Sequence, residues 1–278
     1  MCPRLPAGDA VIPIRDANPT RNVPWVTLAL IAANIVVFLL WQPTFGSDAQ
    51  QQTFFLCHAE IPWEVAHQES LADGGAEART AIDADFGPGS GEGLQKFLGR
   101  RCPDKSWWQS VFVAMFLHAG WLHIAGNMLF LYIFGDNVED RLGRIVFLLF
   151  YVLGGLAASG LQLAFSPNST LPNLGASGAI AAVLGAYLVL FPRARVKTLV
   201  IFFFITVIEL PAVAVLGIWF VMQLFSGVGG LGTAVNGGVA YWAHVGGFAF
   251  GAVVAWLFYR DRRGTPGAPT FPDGPIYR

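Results

Sequence analysis

The sequence predicts an all-α polytopic membrane protein, a six-transmembrane-helix bundle with a long first loop. Three observations predict it: an apolar composition, six long apolar runs, and basic residues confined to alternate connections. Hydrophobic residues make up 54% of the 278-residue chain and charged residues 13%, with a mean hydropathy of +0.53. A soluble domain normally carries about twice that share of charge. Such a chain needs the lipid bilayer as its partner, and its length suits one compact bundle. The net charge of −1 gives no bulk field to draw in nucleic acid, so no nucleic-acid partner is expected.

A bilayer-crossing helix needs roughly 20 apolar residues, and the predicted spans are 24–41, 121–137, 145–165, 175–192, 198–225 and 240–259. The first reads as a span rather than a cleavable signal, because it follows a long polar lead-in and no small-x-small site comes after it. Arg4, Arg15 and Arg21 precede it. Arg141 and Arg144 separate the second and third spans. Arg193, Arg195 and Lys197 separate the fourth and fifth, and Arg260, Arg262 and Arg263 follow the sixth. Loops 166–174 and 226–239 carry no Lys or Arg. By the positive-inside rule both termini are cytoplasmic. Residues 1–22 then form a polar, irregular cytoplasmic tail, 23–260 the membrane domain, and 261–278 a second cytoplasmic tail. Segment 43–106 is an extracytoplasmic loop insertion. Within the fifth span, Glu209 falls near mid-membrane and Pro211 predicts a kink.

Of the three cysteines, Cys57 and Cys102 both fall in the outside insertion, where a disulfide can persist. The spacing leaves a bridge and two separate thiols equally open.

Polar residues within apolar spans are costly and need a reason. Gly175-Ala176-Ser177-Gly178 opens the fourth span. Glycines beside a serine let the chain turn sharply and let a substrate approach, and a helix N-terminus offers free N–H groups. Taken alone, such a motif is more often a close-packing site. His244 lies in the sixth span, with Gly247 and Gly251 forming a small-xxx-small face. Gly178, Ala181 and Gly185 form a matching face on the fourth. Two such faces bring helix backbones together, which would carry Ser177 and His244 into hydrogen-bond range. His123 and Asn127 are four apart and share a face of the second span, as two oxyanion donors would; a structural hydrogen-bond network is the alternative.

The stretch Phe116-Leu117-His118-Ala119-Gly120-Trp121-Leu122-His123-Ile124-Ala125-Gly126-Asn127-Met128, then Gly175-Ala176-Ser177-Gly178, then Ala243-His244-Val245-Gly246-Gly247 resembles the three motifs of the rhomboid proteases, in order and in span placement. The resemblance covers about residues 20–260 and is least typical over 43–106. It implies an intramembrane serine endopeptidase with a catalytic Ser177–His244 dyad. It implies an oxyanion hole from the Ser177 N–H and the His123 and Asn127 side chains, with His118 structural. Trp107-Trp108 resembles the end of the family's first loop, and Gly135 to Gly143 is similar to its cytosolic turn. Some members stack a Tyr, one turn beyond the nucleophile, on the catalytic His. Here that place is Ala181, which leaves open what orients His244.

The chemistry needs a hydrated cavity open to the outside, where His244 takes the Ser177 proton and returns it to the leaving amine. The expected partners are transmembrane protein substrates, cut near the outer end of a membrane helix. No cofactor and no metal site is expected: the zinc motif His-Glu-x-x-His does not occur, and Gly135-Asp136 lacks the first Gly of the aspartyl intramembrane pattern. The alternative is a non-catalytic rhomboid-like membrane protein that binds or moves membrane-protein clients. Such relatives typically lose the Ser or the His, and both are present here. A bacterial plasma membrane is the location suggested by the compact six-span form.

Overall fold

The structure, a computed structural model, describes residues 10–201, 205–229 and 240–259. The C-terminal tail 261–278, the start of the N-terminal tail and most of loop 226–239 lie outside the described residues.

The chain is mostly helical. After strand β1 (Ala10–Asp16), helix α1 (Trp25–Val36) runs into a π-helical turn, Val37–Trp41. Four helices fill the insertion: α2 (Asp48–His58), α3 (Pro62–His67), α4 (Gly75–Phe86) and α5 (Ser90–Arg101). The short α6 (Trp107–Ala114) leads into α7 (Trp121–Leu142), α8 (Arg144–Phe165) and α9 (Ser177–Leu190). Strands β2 (Arg195–Ile201) and β3 (Ile205–Pro211) precede α10 (Ala212–Gly229) and α11 (Tyr241–Tyr259). By length and composition α8 and α11 are long and apolar enough to cross a membrane, while α1 with its π turn, α9 and α10 are shorter apolar helices.

Several expectations need correction. The fold is not all-α: β1, β2 and β3 form an antiparallel sheet in that order. Residues 10–16 of the tail expected to be irregular are therefore a strand. Residues 198–225 are not one helix, because the apolar run is a β-hairpin followed by a helix. The hairpin strands are rich in Val, Ile and Thr, which favour extended backbone. In β2 exposed Arg195 and Lys197 alternate with buried Val196 and Thr198, the period of two that a half-buried strand requires. Glu209 is thus no mid-membrane charge. It faces Lys197 across the sheet at 3.9 Å, both about half exposed. Pro211 kinks nothing; it closes β3 immediately before α10, where its missing N–H costs no helical bond. Finally, residues 135–142 are not a turn but the last two turns of α7, and the reversal into α8 is made by Gly143 at φ +83°.

Those last turns hold the basic end of the bundle together. The Glu139 carboxylate accepts from the Val26 N–H (3.0 Å), the Thr27 N–H (2.7 Å) and the Thr27 hydroxyl (2.8 Å), capping α1. Free N–H groups at a helix start need such an acceptor. The Asp16 carboxylate accepts from the Tyr187 hydroxyl (2.6 Å) and from Asn137 Nδ2 (2.9 Å), tying β1 to α9 and α7. Burial pushes the Asp16 carboxyl up to about 6, against the lowering by its Tyr187 hydrogen bond.

Segment 43–106 is no open loop. It buries Ile61, Trp63, Leu71, Ala78, Ile82 and Leu98 in a core of its own. Cys57 and Cys102 form a disulfide, which by loop-closure entropy stabilises the segment by roughly 3–4 kcal/mol. Lys105 Nζ sits 2.6 Å from the Glu64 carboxylate and donates to the Leu56 carbonyl at 2.7 Å, both charges buried.

Glu60 is buried where the insertion meets α8, and its carboxylate accepts from Ser159 Oγ at 2.6 Å. Burial pushes its pKa from 4.5 up to about 7, the Ser159 hydrogen bond and Lys105 opposing. Between those values the folded chain binds more protons than the unfolded chain, so stability falls as pH rises from about 4.5 to about 7. Glu60→Gln is expected to remove that slope, on the order of 3 kcal/mol. Thermal unfolding of both proteins in detergent from pH 5 to 8 checks it: equal slopes would show that Glu60 is ionised throughout.

Candidate active site

The site lies at the end of the bundle that carries the insertion, opposite the sheet and the basic residues. Four elements build it: the start of α9, the start of α11, the start of α7 and the second half of α10.

The start of α9 is held by the loop before it. The Gly175 N–H donates to the Ala114 carbonyl at 2.8 Å, and Gly175 adopts φ +126°, which an L side chain rarely tolerates. A Cβ there would stand 2.9 Å from His123 Cε1 and 3.0 Å from its Nε2. Ser177 is the first residue of α9, so its N–H lacks an intrahelical acceptor.

Helix α11 meets α9 through glycines. A Cβ on Gly247 would lie 2.1 Å from the Gly178 carbonyl oxygen, and one on Gly251 would lie 1.9 Å from that of Ala182. One on Gly185 would lie 2.0 Å from the Phe248 carbonyl oxygen. The two small-residue faces read from the sequence thus touch backbone to backbone. A Cβ on Gly178 would instead meet Ala158 on α8 at 2.6 Å. This approach brings together residues 67 apart: His244 Nε2 lies 2.8 Å from Ser177 Oγ. Both side chains are partly exposed.

On α7, His123 and Asn127 share a face as their spacing requires. The Ala119 N–H donates to His123 Nδ1 at 3.3 Å. In a neutral ring this leaves the proton on Nε2, the atom beside Gly175 and Ser177. Asn127 is buried, and its Nδ2 has no hydrogen-bond partner among the described residues. His118 is fully buried, with its ring edge-on to His123 at 5.1 Å. Burial pushes its pKa down to about 4, with His123 adding to the effect, so it is neutral at pH 7.

Sequence reasoning missed three glutamines. Gln42, after the π turn, grips the His118 backbone: its Nε2 donates to the His118 carbonyl at 2.6 Å, and its Oε1 accepts from the His118 N–H at 3.1 Å. Gln162 on α8 accepts from the Ala243 N–H at 3.2 Å, beside His244. Gln223 on α10 places Oε1 2.7 Å from His244 Nδ1. A lone Gln in an apolar helix is the signal that could have marked Gln223, since burying an amide without a partner is costly.

A groove of about 1010 Å³ lies elsewhere, between the insertion and α6. It is lined among others by Trp41, His58, Phe97, Arg101 and Gln109, and by neither Ser177 nor His244. The connection from α10 to α11, residues 230–239, lies outside the described residues. Among the described residues no three His, Cys, Asp or Glu side chains are grouped so as to hold a metal ion.

Comparison with known proteins bears on this geometry. Residues 104–261, more than half of the chain, match the model of the Rhomboid domain. The chain is similar to Rhomboid-like protein 11, chloroplastic, of Arabidopsis thaliana, with 31% identity over 55% of this chain and 52% of that protein. It is similar to Rhomboid protein 1, mitochondrial, of Saccharomyces cerevisiae, with 30% identity over 53% and 41%. It matches Rhomboid protease GluP of Bacillus subtilis with 42% identity over 30% and 15%. The matched stretch thus spans about half the length of the first of these relatives, and less of the other two.

Because the Ala182 carbonyl already occupies the place of a Cβ on Gly251, Gly251→Ala is expected to force α9 and α11 apart. A displacement near 1 Å costs on the order of 10²-fold in rate. Labelling of Ser177 by a fluorophosphonate should slow by that factor, and an unchanged rate would show that the helix contact does not set the Ser177–His244 distance.

Proposed function

This chain belongs to the rhomboid family, and we propose that it is an intramembrane serine endopeptidase that cleaves transmembrane segments of membrane proteins. Members of this family are integral membrane proteins, and the apolar helices fit that setting. The observation that carries the proposal is the 2.8 Å contact between Ser177 Oγ and His244 Nε2, at the end of the bundle where His123 Nε2 and the Ser177 N–H are also found.

The proposed spans are α1 with its π turn, α7, α8, α9, α10 and α11. Both termini then lie on the side of Arg141, Arg144, Arg193, Arg195 and Lys197. The insertion and the dyad lie on the other side. The relatives do not single out a bacterial plasma membrane, since two are named for the chloroplast and the mitochondrion and one comes from a bacterium.

The mechanism follows from the parts. His244 Nε2 accepts the Ser177 proton as Oγ attacks the scissile carbonyl. The C–O bond forms and the carbonyl oxygen becomes an oxyanion. The Ser177 N–H, His123 Nε2–H and Asn127 Nδ2–H stabilise that charge. When the C–N bond breaks, His244 returns the proton to the departing amine, leaving an acyl-Ser177. Water, deprotonated by His244, attacks the acyl carbon, and Ser177 recovers its proton as the acid product leaves. His118 and Gln42 hold the loop from which α7 starts.

A fluorophosphonate should label the wild type and not Ser177→Ala. Ser177→Ala and His244→Ala should each abolish cleavage of a helical substrate with the fold retained, and the double variant should be no worse, since the two act as a unit. Wild type that neither cleaves nor labels would instead leave the chain among the rhomboid-like proteins that bind clients without cutting them, and robust cleavage by Ser177→Ala would show that Ser177 is not the nucleophile. Asn127→Ala is expected to lower kcat by on the order of 10²–10³-fold, the usual loss for one oxyanion donor. An unaltered rate would give Asn127 a purely structural role.

A further inference from the structure

His244 has two ring nitrogens, and the proposed dyad uses only one. The base must offer a lone pair at Nε2, so the ring must keep its proton on Nδ1. Nothing on α9 sees to this: one turn beyond Ser177 stands Ala181, fully buried, with neither a ring nor a polar atom to offer. Helix α10 supplies what α9 lacks. Gln223 Oε1 lies 2.7 Å from His244 Nδ1, and an amide oxygen accepts but never donates. Trp219, four residues earlier and so on the same face, sets its ring 5.7 Å from the His244 ring, tilted by 40°.

We infer that Gln223 is a positioning residue for the dyad: its amide oxygen accepts the His244 Nδ1–H, holding the ring in the tautomer and plane that present Nε2 to Ser177. This rests on the reading of Ser177 and His244 as nucleophile and base. When the ring takes up the Ser177 proton, both nitrogens carry hydrogens. The Nδ1–H···O bond then becomes charge-assisted and shortens, so Gln223 favours the transition state over the resting enzyme. A neutral amide does this without placing a second ionised group in the apolar bundle, which would be costly. Trp219 limits rotation of the ring out of that plane. Without Gln223 the imidazole is free to take the other tautomer, whose Nε2–H donates to Ser177 and cannot act as a base.

The test compares full-length wild type, Ser177→Ala, Gln223→Met and Gln223→Glu in detergent, with one helical substrate. Gln223→Met keeps the length and bulk of the side chain and removes the acceptor; Gln223→Glu keeps the acceptor. Gln223→Met is expected to lower kcat about ten- to a hundredfold, part of the 10²–10⁴ that a positioned base supplies, with KM nearly unchanged. Gln223→Glu is expected to restore most of it. A Gln223→Met enzyme with wild-type kcat, or a Gln223→Glu enzyme as slow as Gln223→Met, overturns the inference. Equal rates for wild type and Ser177→Ala instead overturn the reading beneath it. Nitrogen NMR of the wild type labelled at histidine gives a second readout that does not depend on the variants folding. A proton on His244 Nδ1 is expected, and one on Nε2 overturns the inference.

Discussion

The backbone contact between α9 and α11 is the constraint on which the rest depends. Lipid gives apolar helices no hydrophobic reason to prefer each other over the bilayer, so close packing has to hold them. Here it does so through Gly185, Gly247 and Gly251, each with a carbonyl oxygen of the facing helix about where a Cβ would stand. The contact runs along the helices from the end where Ser177 and His244 meet. A bulkier residue at any of these three places would push the two helices apart.

The insertion does for the loop before α9 what the glycines do for the helix. The Asn173 N–H donates to the Glu60 carbonyl at 2.7 Å and the Trp63 N–H to the Ser169 carbonyl at 2.9 Å. The Asp85 carboxylate accepts from the Thr170 N–H (2.6 Å) and from its hydroxyl (2.8 Å). Loop 166–174 is thus fastened from the insertion side and, through Gly175, to the end of α6. Ser177, at the first residue of α9, has no preceding helical turn to fix it, and these bonds take that place. The disulfide at Cys57 and Cys102 and the buried Lys105–Glu64 pair stiffen the body from which they are made.

What was legible in the sequence followed from chemistry that leaves few options. A serine beside glycines and a histidine beside a small-residue face each left more than one reading alone, but the two matching faces together pointed to the approach that the structure shows. The helices α1, α7, α8, α9 and α11 were legible because long apolar runs have few other uses. The run 198–225 misled because hydropathy averages over a window and cannot separate an apolar hairpin from an apolar helix. The period of two at its start, with Arg195 and Lys197 exposed against Val196 and Thr198, was the better signal. The pairing of β1 with β2 was not legible, since the partners are about 190 residues apart. Gln223 was passed over because an amide carries no motif; only the ring across from it gives it meaning.

The polar atoms of the site divide into two sets, and the division has a physical sense. Both nitrogens of His244 have partners, Ser177 Oγ and the Gln223 amide oxygen, so the proposed base is held in place before any substrate arrives. Asn127 Nδ2 is buried with no partner among the described residues, although such a donor costs about 1–3 kcal/mol of stability when left unmade. A bundle selected only for stability would pair it or replace it. Catalysis gives a reason to keep it, because a donor already engaged in the resting state must break one bond to make another and gains little. A donor aimed at charge that exists only in the transition state lowers the barrier by the full strength of the new bond. Under the proposed chemistry, the same apolar surroundings that make the orphaned amide costly are what make it effective.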